Sequence, residues 1–411
     1  MSIDSIASWM GRFAPASRNK DQAVPLQKAS SVGAMVACAT LGQPVWTPRR
    51  YDALAEEGYQ KNVIVYRCVT VIARGLASVP WLLYERKGSG EHEVDHHPLL
   101  MLLNSPSPKQ AGSAFIEAVV GYLLLSGNAY IEAVLNAQGQ PMELYPLRPD
   151  RVKVVPGLGG VPAAFEYAAG AHKKRLSVDA VSGESSVLHL KLFNPLNDWY
   201  GMSPLEASSC SIDQHNAVAA HNLALLQNGG RPSGALLVKP APHGYPLTEE
   251  QRQTLREDLR VTYEGTKNAG RIMVLEGDFE WKEMGMSLKD LDFVEGKNMS
   301  AREITQAFGV PPMLAGVPGD ATFANYKEAR FHLWEDTILP LLEFLVAEFN
   351  LWLVPYFGEG FRIGYDLDSI PALAPRREAA WAKIVGADFL TVNEKRQAVG
   401  YSPIEGGDVV G

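Results

Sequence analysis

Residues 203–227 read Ser203-Pro-Leu-Glu-Ala-Ser-Ser-Cys-Ser-Ile-Asp-Gln-His-Asn-Ala-Val-Ala-Ala-His-Asn-Leu-Ala-Leu-Leu-Gln227. Pro204 suits the first position of a helix, where its missing N–H removes nothing. Leu205, Ile212, Ala219, Leu223 and Leu226 then fall along one stripe at helical spacing. Gly229-Gly230 stops the run. A second long helix is read over 288–308 and is stopped by Gly309 and Pro311-Pro312. Between the two lies a small α/β insert: a strand at 235–238, a helix at 248–263 and strands at 271–275 and 279–283. Thr248 and Gln251 have the spacing of a capping box for that helix. Neither long helix is apolar all round, which suits packing against neighbouring copies.

Downstream comes a Gly/Pro-rich loop, 315–323, and a third long helix over 325–354. Its stripe is Phe331, Trp334, Ile338, Leu341, Leu345, Phe349 and Trp352. Pro340 lies inside this helix, removes one hydrogen bond and predicts a kink. The tail reads as two short helices, the second opened by the capping-box pair Thr391 and Glu394. Upstream, 51–79 is helical in character and Pro80 ends it. A strand at 81–86, a turn at 88–90 and a short helix at 99–103 follow. Then come a helix at 115–125 stopped by Gly127-Asn128 and strands at 130–135, 143–147 and 152–155. The fold class is α+β. Residues 1–45 show no sustained period and read as a flexible arm.

The chain has 411 residues, 46% hydrophobic, enough for a sizeable core in two or three compact units. A charged fraction of 20% argues against bulk disorder. The net charge of −8 disfavours a sequence-reading DNA binder, which usually carries a broad basic face. Cys38, Cys68 and Cys210 are odd in number and far apart, so neither a disulfide framework nor a zinc ribbon is expected. Reduced thiols in a cytoplasm are expected instead. The longest apolar stretch, 63–84, contains Arg67, Arg74 and Pro80, so no membrane span is expected. Residues 31–41 resemble a signal-peptide core but begin too deep and lack a compact basic leader.

His92-Glu-Val-Asp-His96 matches the H-E-x-x-H pattern of zinc hydrolases, with His92 and His96 as ligands and Glu93 activating water. That chemistry needs a helix. Here Gly88-Ser-Gly90 precedes the motif and Pro98 follows it, so a polar connection is the plainer reading. No G-x-x-x-x-G-K-[ST] phosphate loop occurs, and Gly157-Leu-Gly-Gly160 runs into Val161-Pro162 rather than a helix. No cofactor and no bound metal are expected. His189, His215 and His221 read as packed or interfacial residues.

Several stretches together resemble the portal proteins of tailed phages, of the Hong Kong-phage type, also found in prophages and gene transfer agents. They are Val65-Tyr-Arg-Cys-Val-Thr-Val-Ile-Ala-Arg74, Gly127-Asn-Ala-Tyr-Ile131, Leu144-Tyr-Pro-Leu-Arg-Pro-Asp-Arg-Val152, Gly201-Met-Ser-Pro-Leu-Glu-Ala207 and Asn228-Gly-Gly-Arg-Pro-Ser-Gly234. Phe308-Gly-Val-Pro-Pro312, Asn325-Tyr-Lys-Glu-Ala329 with Leu339-Pro340, Thr391-Val-Asn-Glu-Lys-Arg396 and Gly406-Gly-Asp408 complete the set. The resemblance covers residue 51 to the C-terminus.

The resemblance implies a layout. Residues 46–202 correspond to an α+β wing, 203–228 and 287–309 to two stem helices, and 229–286 to the clip between them. Residues 310–324 correspond to the tunnel loop, 325–372 to the kinked wing helix with a return strand, and 373–411 to a short crown. The tunnel-loop residues are Ala315, Gly316, Val317, Pro318, Gly319, Asp320, Ala321, Thr322 and Phe323. It also implies a non-enzymatic ring of twelve at one vertex of a virion capsid, assembled in a host bacterial cytoplasm. Double-stranded DNA passes through without sequence recognition. The implied partners are the large subunit of the ATP-driven terminase motor, the head–tail adaptor, the major capsid protein and its scaffold; no membrane is implied.

Such a channel has to hold DNA loosely. A ~30 Å length of duplex carries about 18 phosphates, and pairing even about six to ten with Lys or Arg would oppose sliding. The first long helix has Glu206 and Asp213 and no Lys or Arg. The second has Asp290, Asp292, Glu295 and Glu303 against Lys289, Lys297 and Arg302, and the loop adds Asp320. A mildly acidic lining is therefore expected, repelling phosphate over roughly 10 Å at 0.1 M salt. Gly316, Pro318 and Gly319 are expected to let the loop change shape as DNA passes.

Overall fold

The computed structural model describes residues 47, 50–87, 90–157, 160–227, 234–238, 248–250, 253, 254, 257, 279–283, 293–319, 323–398, 404 and 406–408. All belong to the compact unit Trp46–Gly411. The arm at 1–45, most of the helix expected at 248–263 and the strand expected at 271–275 lie outside the described residues.

The stretch 51–79 is helical as expected, and it is divided in two. Helix α1 (Tyr51–Leu54) runs into a π-helical turn, Ala55–Gln60, and α2 (Val63–Ala77) starts afresh. Asn62 makes the break. Its Oδ1 accepts the N–H groups of Ile64 (3.0 Å) and Val65 (3.3 Å), satisfying the free donors of a new helix end. Along α2, Val65, Cys68, Val69, Ile72, Ala73 and Leu76 are buried at three- and four-residue steps.

Strand β1 (Trp81–Lys87) pairs antiparallel with β2 (Gly90–Glu93), and α3 (Pro98–Asn104) begins at Pro98. Helix α4 (Gly112–Ser126) buries Phe115, Ile116, Val119, Val120 and Leu123 almost completely. Leu124 and Leu125 are buried too, so the apolar surface extends beyond one face and α4 packs deep against the core. Gly127 ends it in the left-handed region, φ 73°, which favours glycine.

Strands β3 (Asn128–Leu135), β4 (Pro141–Leu147), β5 (Val152–Val155), β6 (Ala164–Ala169), β7 (His172–Ser177) and β8 (Val187–Lys191) make two antiparallel sheets, ordered β4-β3-β8 and β5-β6-β7. Sequence reading found β3, β4 and β5 but not β6, β7 or β8. Strand β7 buries only Leu176 among four basic residues and a serine, so it shows no alternation. Side chains alternate across β3. Ala129, Ile131 and Ala133 enter the main core with α2 and α4, whereas Tyr130 enters a second core with Val152, Val154, Phe165 and Leu176.

Helices α5 (Pro204–Ala207) and α6 (Ser209–Gln227) replace the first long helix, with Ser208 between them. Strand β9 (Gly234–Val238) pairs antiparallel with β10 (Phe279–Glu283), and α7 (Phe293–Ala307) is the described part of the second long helix. A 3₁₀ turn, Pro312–Ala315, leads on to α8 (Phe323–His332), a π segment Leu333–Ile338 and α9 (Leu339–Trp352). Strand β11 (Phe361–Tyr365) returns to β1 in the sheet β11-β1-β2. Helices α10 (Ala374–Val385) and α11 (Val392–Ala398) close the chain. The mixed helix-and-sheet class is as expected from sequence.

Candidate functional site: the paired helices and the loop beyond them

The entry to α5 is locked to the end of α4. Asn128 Oδ1 accepts the N–H of Gly201 at 2.8 Å, and its Nδ2 donates to the carbonyls of Ser126 (2.8 Å) and Gly201 (3.3 Å). Leu192 N–H donates to Gly127 O at 2.8 Å. A Cβ built on Gly201 would lie 2.1 Å from Gly127 O, so only glycine admits this approach. His189 Nε2 sits 3.0 Å from Asn128 Oδ1, and the imidazole stacks on Tyr130 at 4.4 Å. Because that oxygen is an acceptor, Nε2 carries the proton. Burial, with a smaller contribution from Lys191, pushes the His189 pKa down to about 3, so the ring is neutral.

Ser203 then caps α5, its Oγ accepting Glu206 N–H at 2.9 Å, with Pro204 at the first position. Helices α6 and α7 pack together, and Ser211 Oγ donates to Glu303 Oε2 at 2.7 Å. A buried polar hub ties α6 to the start of α2. Asn62 Nδ2 reaches His215 Nδ1 (3.2 Å) and Asn216 Oδ1 (3.0 Å), and Asn216 Nδ2 donates to Glu57 O (2.8 Å). Burial lowers the pKa of His215, followed by the charge of Lys297. His189 and His215 are thus packed residues, as read from sequence.

The expected acids separate. Asp213 accepts from Thr47, through the backbone N–H at 2.9 Å and through the hydroxyl. Thr47 is buried, so Asp213 anchors chain. Glu206 is half-buried in the first turn of α5, and Glu295 is exposed in the first turn of α7, where the helix dipole favours a carboxylate. Asp290 and Asp292 lie outside the described residues. On the apolar stripe, Leu205 and Ile212 are buried but Leu223 is 56% exposed.

The loop's first half is held against α2 and α7. Arg67 Nε donates to Leu314 O at 3.1 Å, just before Ala315 closes the 3₁₀ turn. Gly316 follows at φ 82°. Val317 is buried and its N–H donates to Pro312 O at 3.1 Å. Arg302 Nη2 donates to Pro318 O at 2.6 Å, and Gly319 leaves room for that guanidinium. Asp320, Ala321 and Thr322 lie outside the described residues, and Phe323 opens α8.

Pro340 is the second residue of α9, immediately after the π segment. A wider turn at this point suits a residue that has no N–H and whose ring crowds the carbonyl four residues back. Thr337 Oγ1 within the segment donates to Gly309 O at 2.6 Å, joining it to the end of α7.

The reading of His92, Glu93 and His96 as a polar connection is corrected in part, and the zinc alternative has no support among the described residues. His92 and Glu93 lie in strand β2, paired with Glu85 and Tyr84, so they point to opposite sides of the sheet. The motif therefore lacks the helix that zinc chemistry requires. Sequence reading gave no anchoring contact to Asn62, Arg67, Gly201 or Arg302, and took Asn128 as a stop rather than an anchor. The adjoining Gly127-Asn128 was the one available signal, since a helix stop needs no asparagine that bonds elsewhere.

The phage portal protein family profile matches residues 63–400. The portal protein of Enterobacteria phage HK97 is 26% identical over 352 residues, 84% of this chain and 80% of that protein. A solved chain from the neck of an empty gene transfer agent particle, computed with C6 symmetry, is 42% identical. It aligns with a TM-score of 0.69 over 91% of this chain and 100% of its own. A chain from the neck of the native particle, computed with C12 symmetry, is 41% identical with a TM-score of 0.67 over 91% and 99%.

Proposed function

The chain belongs to the phage portal protein family, and on that premise we propose that it forms the ring channel of a gene transfer agent or phage-like particle. Double-stranded DNA enters and leaves the capsid through this ring at one vertex. The observation that carries the reading is the 42% identity to the particle-neck chain across 91% of this sequence. The C12 symmetry used for the native neck supports twelve copies.

In this reading residues 46–202 are the wing, α5–α6 and 287–309 the stem, 229–286 the clip and 373–411 the crown. The clip meets the terminase motor first and the head–tail adaptor later, and the wing meets the capsid protein and scaffold. The role is structural, without catalysis or cofactor, and its place is the virion after assembly in the host bacterium.

Glu206 and Glu295 are the channel-lining acids among the described residues, with Asp290, Asp292 and Asp320 beyond them. Asp213 keeps its duty to Thr47 wherever it faces. The loop 315–323 lines the narrowest passage. Its first half is fixed by Arg302. Negative-stain imaging of the purified full chain tests the reading: rings with a central hole are expected. A chain that stays monomeric at every concentration, or closes into a body without a hole, would overturn it.

A further inference from the structure

We propose that neighbouring subunits lock together by a knob and a cleft: Phe193 and Leu196 of one copy seat in the apolar cleft between α2 and α4 of the next.

The knob is built before any partner arrives. In the connection from β8 to α5, Leu196 N–H donates to Asn194 Oδ1 (3.0 Å) and Asn194 Nδ2 donates to Tyr200 O (3.0 Å). Trp199 and Tyr200 N–H both donate to Asn197 Oδ1, and Lys191 Nζ donates to Asp198 O at 2.6 Å. Tyr200 Oη accepts Val154 N–H at 3.0 Å, and Trp199 and Tyr200 pack on the second core. So ordered a loop nonetheless leaves Phe193 85% and Leu196 94% exposed. Together they show on the order of 300 Å² of apolar surface, the size of the largest patch on a typical monomer.

The cleft has about 340 Å³ and a floor that includes Val69, Ala73, Ala118, Gly121 and Leu125. A Cβ built on Gly121 meets nothing within 4 Å, so the space is open to another chain. The exposed ion pair Arg74–Glu117 (2.9 Å) stands at its edge. An apolar floor with a polar rim is the usual anatomy of a protein interface.

The two features are built from different parts of the chain, the cleft from α2 and α4 and the knob from the connection between β8 and α5. The cleft belongs to the helices over Ala129, Ile131 and Ala133, whereas the knob loop is held at both ends, by Leu192 on that main core and by Trp199 and Tyr200 on the core that takes Tyr130. A closed ring of identical subunits needs two different, complementary patches on each copy, joined head to tail. A knob and a cleft on separate elements supply two such patches. The knob also runs straight into the stem entry at Gly201, continuous with helices proposed above to stand side by side.

The inference rests on the ring reading. Phe193→Ser with Leu196→Ser breaks the knob, and Gly121→Trp fills the cleft from within. Mass photometry of the full-length chains reads the outcome, with monomer melting as the check on folding. Each variant should fold as wild type and form about tenfold less ring or lower still. A one-to-one mixture of the two should give dimers and no rings, because one junction per pair keeps an intact knob and cleft. Wild-type rings alongside variants that also form full rings, or variants that lose rings yet give no dimers on mixing, would overturn the knob and cleft alone. A wild-type chain that never forms rings would overturn the ring reading itself.

Discussion

The side-chain oxygen of Asn128 accepts the backbone N–H of Gly201 at 2.8 Å, joining two positions 73 residues apart. The end of helix α4 thereby sets where the first stem helix begins. Removing Asn128 orphans Gly201 N–H and Ser126 O inside the protein. Asn128→Ala should cost about 2–3 kcal/mol and lower Tm by about 3–4 °C. Calorimetry checks this; an unchanged Tm means the anchor is ornamental. Gly201→Ala should be worse, because its Cβ would collide with a backbone carbonyl that cannot retreat.

His189 makes the anchor sensitive to acid. Its folded pKa, about 3, lies below the ordinary value of 6.5, so the unfolded chain takes up the proton first. The stability it contributes is present above pH 6.5 and is lost as pH falls toward 3. His215, also lowered by burial, adds in the same direction. His189→Gln keeps an N–H for Asn128 but cannot titrate. Denaturation midpoints for wild type should fall more steeply across that window than those of the variant. Parallel slopes would count against the neutral, buried imidazole.

Arg302 holds the first half of the loop by one charge-assisted bond to Pro318 O. Arg302→Ala should loosen it by about 1 kcal/mol, roughly a fivefold faster exchange of the Val317 amide. Rings should still assemble while packaged DNA leaks. Assembly failing before retention would mean the loop has been misplaced.

Acidic side chains in the channel should keep DNA moving. Glu206→Lys with Glu295→Lys should slow packaging and increase DNA retention, and added salt should relieve both effects. Packaging at the normal rate with no extra retention discards the acidic lining. Asp213→Asn is a different experiment. It weakens the hold on Thr47, so proteolytic cutting near residue 47 should quicken while channel behaviour stays as it was.

Local rules reached far into this chain. Pro204 and Ser203 announced α5, Gly127 announced the end of α4, and the Thr391–Glu394 pair forms its capping box, with bonds of 2.8 Å and 3.1 Å. Even the elements that went wrong did so at single polar residues. Asn62 restarts a helix and Ser208 interrupts one. Neither differs from an ordinary surface residue until its hydrogen-bond partner is known.

Helix starts, helix stops and the apolar stripe of the third long helix were legible in the sequence because they depend on neighbours within about four positions. Asn128 meeting Gly201, Asn62 meeting His215, Asp213 holding Thr47 and Arg302 holding Pro318 were decided only in three dimensions. A hydrogen bond between residues dozens of positions apart leaves no periodic trace in the chain. It exists because packed helices and sheets exclude water there, and a buried polar group must then be satisfied by whatever the fold has brought alongside.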